Sequence, residues 1–341
     1  MTTRPRTDRP IEPSLRQNQL HFGEVSIGFQ RTLRIPDDGR EYPLPPGLGD
    51  FPVLPVSHFA DRVPDDWRLH GGVFIPMHQR EALWIHFTVA DPWARSAVKV
   101  GIGKVNAVTG QPWTDRLQPA SEGRKQDYLV LPDQPWLDGI NVGEGRIRQF
   151  VAVPLGSDYT VEGQVTGEET VGGLQLLVVP GKPKPRPPVE AFESSPRHAM
   201  RAGPMHMLNE ASAMGLGAGG LMTQRIYEDR HGFDTWLQER AARVFVHIAN
   251  AELFQEITGM APPPSPISAQ DYSRHGLPWF SLYDADQPAV GGSGVLSDVW
   301  SIAELDEAKI GPAAPIDPSI ELEGSQVVNL GHGGHRLDGD W

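Results

Sequence analysis

One short phrase, Gln-Pro-Trp-x-Asp, occurs twice, at Gln111–Asp115 and at Gln134–Asp138. Proline narrows the local backbone, so each indole is presented from its loop at a restricted angle. The neighbouring amide and carboxylate can hydrogen-bond a hydroxyl or a peptide group. Four of the nine tryptophans directly follow proline: Trp93, Trp113, Trp136 and Trp279. Rigid aromatic faces flanked by polar groups are what a carbohydrate- or protein-binding surface needs. The predicted ligand-binding set is therefore Trp93, Gln111, Trp113, Asp115, Gln134, Trp136 and Asp138. The competing expectation is that these tryptophans fold back as lids over the ends of a sheet, since aromatic residues are highly buried on average.

Other chemistries are less well served. Gly215, Gly217 and Gly220 have the letters G-x-G-x-x-G of a dinucleotide loop. That loop works only between a buried strand and a helix N-terminus. Here the preceding "RAGPMHMLNEASA" is no apolar run, and the following "LMTQRIYED" alternates like a strand. The glycines are expected to form a mobile or bulged entrance to that strand. Neither G-x-S-x-G nor H-E-x-x-H occurs, and "GGSG" at 291–294 reads as a loose loop. Met200, Met205, Met207, Met214 and Met222, with His198 and His206, could suit copper, but methionine more often fills gaps in a core. His332 and His335 with Asp338 and Asp340 read as solvated tail, and Asp284 with Asp286 lacks the later ligands of a calcium loop. No metal and no cofactor is predicted. His86 and His247 sit in alternating segments and are expected to be hydrogen-bonded structural histidines, both able to titrate near neutrality. A catalytic alternative remains, a carbohydrate or ester hydrolase pairing Asp127, Asp133 or Asp138 with His78 or His86 through folding.

Composition narrows the classes. The formal net charge of -13 argues against nucleic-acid binding, which needs clustered cations to displace phosphate counterions. With no cysteine, disulfides, thiolate metal sites and thiol nucleophiles are excluded. The polar, proline-broken start carries no signal-peptide pattern, and no apolar run is long enough to span a membrane, so a cytoplasmic protein is expected. Thirty-seven glycines and 33 prolines in 341 residues favour turn-rich β structure.

The elements that must position these residues are mostly strands. "LWIHFTV" sets Leu83, Ile85, Phe87 and Val89 against Trp84, His86 and Thr88, a period of two that predicts a half-buried antiparallel strand. "YTVEGQVT" alternates likewise, and "VSIGFQRTLRI", "SAVKVGIGKV", "DYLVLP", "RIRQFVAVPL" and "GLQLLVV" are further strand candidates. The fold class expected is mainly β: an N-terminal antiparallel β-sandwich followed by a smaller α+β domain, with flexible termini. The boundaries are a flexible arm at 1–19, the sandwich at 20–180, a proline-rich linker at 181–203, the α+β domain at 204–310 and a tail at 311–341. Within the second domain "ARVFVHIA" reads as a strand. "NAELFQEITG" reads as a helix capped by Asn250 and stopped by Gly259, and "SAQDYSRHG" as one capped by Ser268. In the tail at most one strand is expected, at "SQVVNL". The functional expectation is a non-enzymatic binding or self-associating protein, with a protein or carbohydrate partner and no nucleic acid or membrane.

Overall fold

The computed structural model describes residues 9–91, 93–121, 123, 125–183, 213–283, 288–315 and 317–331. The chain opens with a hairpin, β1 (Ser14–Arg16) and β2 (Gln19–Phe22), then β3 (Val25–Thr32), a short β4 (Gly47–Asp50), β5 (Val73–Pro76) and β6 (Ala82–Val89). There follow β7 (Ser96–Ile102), β8 (Leu129–Leu131), β9 (Trp136–Leu137), β10 (Gly139–Gly143), β11 (Arg146–Pro154) and β12 (Leu174–Pro180). Beyond the proline-rich stretch come β13 (Ala213–Thr223) and β14 (Ala242–Ala249).

Hydrogen bonding joins these strands into one mainly antiparallel ladder. On one flank β1, β2, β3 and β6 pair in succession. At its other edge β6 carries β9 and the middle of β11, which runs beside β13 along most of its length. At its start β13 meets β14, and β14, β12, β7 and β8 complete the other flank. In addition, β5 lies parallel to β14. One apolar core lies between the flanks, with Ile27, Phe29, Ile85 and Phe87 from the first and Val98, Val100, Leu176 and Val246 from the second. The fold is mainly β.

Strands on both sides of residues 181–203 share this ladder, and Leu216, Ala218, Val246 and Ile248 share its core with the N-terminal strands. The chain is thus not divided there into two separate cores. Local periodicity cannot register this, because ladder partners are chosen across the whole chain. Residues 184–203 of the proposed linker and 1–8 of the arm lie outside the described residues.

The glycine-rich run differs most from expectation. It is no loose entrance; it is β13 itself, buried over most of its length. Neighbouring backbone approaches so closely that side chains would collide. A Cβ on Gly220 would lie 2.3 Å from the Pro36 carbonyl oxygen, and one on Gly217 would lie 2.9 Å from the Tyr159 carbonyl oxygen. Glycine is needed here for close approach. Gly220→Ala is expected to cost about 1–3 kcal/mol through overpacking. Gly294→Ala, whose added carbon meets nothing within 4 Å, should change little. Urea denaturation of both variants checks the contrast.

"YTVEGQVT" is a helix over Val161–Thr166, where the sequence predicts a strand. The Thr160 hydroxyl accepts from the Gly163 amide at 2.9 Å, and Gly167 closes the helix at φ +76°. A capping threonine and a left-handed glycine outweigh a short alternation. The other strand candidates form largely where expected. Asn250 caps the helix Ala251–Thr258, which Gly259 ends at φ +71°, and Ser268 caps Ala269–Arg274. The tail strand forms at Val327–Gly331 and pairs in parallel with Trp279–Tyr283. Among the described residues no helix is long and apolar enough to cross a membrane.

Candidate binding site

The pairing of β3 with β6 runs from Val25↔Val89 to Thr32↔Ala82. Because side chains alternate along a strand, Val25, Ile27 and Phe29 meet Leu83, Ile85 and Phe87 on the core side. The opposite face therefore carries three cross-strand pairs: Ser26 with Thr88, Gly28 with His86, and Gln30 with Trp84. Short β9 adds Trp136 beside His86, and β4 sets Asp50 beside Gln30.

These groups touch. The Trp84 and Trp136 rings meet edge to face at 6.0 Å and 76°, and Trp84 lies 6.0 Å from the His86 ring. His86 occupies the space that Gly28 leaves open, since a Cβ there would lie 2.1 Å from His86 Nε2. The same Nε2 is 3.3 Å from Asp50 Oδ1. Two buried polar atoms on this face have no hydrogen-bond partner, the Trp84 indole nitrogen and Gln30 Oε1. Leaving such a group unpaired costs about 1–3 kcal/mol, and their register places both at the same cross-strand position.

Of the predicted ligand-binding set, Trp136 alone joins this face, together with His86 from the catalytic alternative. The two Gln-Pro-Trp-x-Asp phrases have different environments. In the first, Gln111 is exposed, and the Trp113 indole donates to Asp115 Oδ1 at 2.8 Å. Asp115 also receives Arg243 Nη1 at 2.6 and 2.8 Å. The Trp113 ring covers Gly101, where an added Cβ would come within 2.5 Å of it. Beneath it runs buried Lys99, whose Nζ is 5.1 Å from the ring centroid. In the second phrase Gln134 and Asp138 are 2% and 3% exposed, so they do not offer the outward polar groups expected of them. Gln134 donates to the Trp136 carbonyl at 3.0 Å and accepts from the Tyr227 amide at 3.2 Å. Asp138 accepts from Gln224 Nε2 at 2.5 Å, while its amide donates to Gln224 Oε1 at 3.0 Å. Together they clamp the Trp136 segment to residues 224–227. Burial pushes the Asp138 carboxyl up to about 7, only partly offset by Gln224. Trp93 is 52% exposed on a turn whose amide donates to Asp91. Trp279 is fully buried.

The carboxylate–histidine pairs of the catalytic alternative find other partners. Asp127 binds Lys99 Nζ at 2.7 Å, and Asp133 lies beside Arg230 and His231. His78 meets the Pro263 carbonyl at 2.8 Å, and His86 meets Asp50. His247 is structural as expected. It stacks on Trp67 at 4.8 Å, its Nε2 lies 2.9 Å from the Gly71 carbonyl, and burial pushes it down to about 4. It is therefore neutral at pH 7 and does not titrate near neutrality.

Among the described residues no group of three or more His, Asp and Glu side chains is placed to hold a metal. Met214 and Met222 are core residues. His198, Met200, Met205, His206 and Met207 lie outside the described residues, as do Asp284, Asp286, His332, His335, Asp338 and Asp340.

Sequence reasoning missed Gln30, Asp50 and Trp84 as members of one site. A usable signal existed in "LWIHFTV", where a tryptophan falls on the wetter face of a strand whose other face is wholly apolar. No protein-family model matches the chain, and comparison with curated proteins and with solved structures returned no match.

Proposed function

We propose that this protein is a non-enzymatic binding module whose outer β3–β6–β9 face takes a hydroxyl-rich, carbohydrate-type ligand. The observation that carries the reading is the unpaired indole N–H of Trp84 and the unpaired Oε1 of Gln30 at one cross-strand position beside a second tryptophan. An indole can only donate and an amide oxygen can only accept, whereas a hydroxyl does both. Both atoms are buried, so one ligand hydroxyl would satisfy the pair once the Trp84 and Gln30 side chains shift to admit it, while the apolar face of a sugar ring rests on an indole. Asp50 and His86 supply further polar contacts at the margin.

A glycan array followed by tryptophan fluorescence titration tests this. Trp136→Ala is expected to weaken binding at least tenfold, equivalent to about 1.4 kcal/mol. Trp136 also packs against a satellite core, so a second variant separates binding from folding. Trp84→Phe keeps a ring and removes the unpaired donor, so it should leave thermal stability unchanged or higher while weakening binding several-fold. Wild-type protein that binds no glycan, or Trp84→Phe protein that binds as tightly as wild type, would refute the proposal.

A further inference from the structure

The outer face extends beyond the tryptophan pair. Its register forms three rows crossing the strands. Asp50, Gln30 and Trp84 make the first row, and Gly28, His86 and Trp136 the second. The third runs over four strands, with Ser14 on β1, His21 on β2, Ser26 on β3 and Thr88 on β6. Ser26 Oγ and His21 Nδ1 are 2.9 Å apart, so the third row is an ordered polar strip. Ser14 and Thr88 are exposed, while His21 and Ser26 are half-buried.

At about 3.4 Å per residue, four residues separate the Trp84 row from the Thr88 row by roughly 13–14 Å. That distance exceeds the width of a single sugar ring more than twofold. The middle row stays low because Gly28 has no side chain and the His86 ring fills its place. The resulting track offers the Trp84 indole and the Gln30 amide at one end, the His86 imidazole and the Trp136 indole in the middle, and hydroxyls with a second imidazole at the other. Asp50 lies in its first row, with Arg16 at the edge strand and Glu24 just beyond Ser26.

We infer that this track binds an uncharged oligosaccharide chain along the β3–β6 direction, with the third row as a second subsite. The inference rests on the carbohydrate reading above and adds a chain-like ligand to it. A single sugar would engage the Trp84–Trp136 end alone. A longer chain would pass over His86 and reach Ser26, Thr88 and His21.

The test is isothermal titration of the full chain with neutral cello-, xylo-, malto- and chito-oligosaccharides, from single sugars up to hexasaccharides. Affinity for the recognised series is expected to rise about tenfold or more between the mono- and trisaccharide and then level off. The double variant Ser26→Ala/Thr88→Val should remove that rise and leave single-sugar binding as in wild type. Its unchanged thermal unfolding would show that the strands are intact. Should the double variant unfold, Thr88→Val alone carries the test, because Thr88 is exposed. Binding of equal strength at every chain length would overturn the second subsite and leave the binding-module reading standing. No binding of any series, or binding to proteins alone, would overturn both.

Discussion

Lys99→Ala is expected to destabilise the protein by about 3–5 kcal/mol, the range for removing one partner of a buried ion pair. Lys99 is fully buried in β7, and all three of its ammonium hydrogens have acceptors. Nζ lies 2.7 Å from Asp127 Oδ2, 2.8 Å from Thr114 Oγ1 and 2.9 Å from the Arg116 carbonyl. Asp127 is itself buried and accepts the Gln118 amide at 2.7 Å. Burial already raises its pKa, against the opposing pull of Lys99. Without the lysine the carboxylate would have no counter-charge, and its pKa would rise further. Sign follows from linkage: a folded carboxyl pKa above the unfolded value makes stability fall as pH rises through the interval between the two. The deficit of Lys99→Ala should therefore be smaller at pH 4–5 than at pH 8. The apolar pair Lys99→Met/Asp127→Leu should lose much less than the single variant, since it leaves no orphaned charge. Urea denaturation at both pH values measures all of this. A Lys99→Ala loss below 1 kcal/mol would show that the pair contributes little. Thr114 and Arg116 both bond to Lys99, so Trp113 fluorescence should shift in the folded variant.

Asp138→Asn is expected to act in the opposite direction, stabilising the protein at alkaline pH. Asp138 is buried with a neutral partner, Gln224, and its carboxyl is pushed up to about 7 from an ordinary value near 3.9. Between these values the folded chain holds a proton that the unfolded chain has released. Wild-type stability should thus decline as pH rises from about 4 to about 7 and then level off. The full shift corresponds to about 4 kcal/mol at 1.36 kcal/mol per unit. Asparagine keeps an acceptor for Gln224 Nε2 but introduces N–H donors, and an unpaired buried donor costs about 1–3 kcal/mol. The net gain expected at pH 8 is therefore about 1–3 kcal/mol. At pH 5, where Asp138 is already protonated, the gain should vanish or reverse. Denaturation midpoints over pH 4–9 give the comparison, and parallel wild-type and variant curves would exclude a titrating Asp138. Asp138 also helps to clamp Trp136, so glycan binding of the two proteins should differ least at low pH.

Much of the secondary structure was legible in the chain, for local reasons. The alternation in "LWIHFTV" was enough to assign both faces of β6, and Trp84 and His86 do lie opposite the core residues Leu83 and Ile85. Asn250 with Gly259, and Ser268, mark their helices because a cap is a hydrogen bond spanning three residues. "YTVEGQVT" misled because eight residues satisfy a strand period and a capped helix equally well, and Thr160 decided between them. The candidate site was only partly legible. Trp136 was selected, but its companions Trp84, His86, Gln30 and Asp50 come from three other strands.

By itself the sequence determined the β character of the chain, the inward and outward faces of its long strands, and the ends of its capped helices. Each depends on side-chain periodicity or a hydrogen bond within a few residues. Tertiary structure alone decided which strands became neighbours. It drew β13 and β14 into the same ladder as β7 and β11, and it packed the glycine run against Pro36 and Tyr159 as a buried strand. It also separated two phrases with the same letters. One lies at the surface with Asp115 accepting from both Trp113 and Arg243, and the other has its Gln and Asp turned inward to hold Trp136. The physical reason is that burial belongs to partners distant in the chain, and the same side chain recognises a ligand or braces a loop according to what covers it.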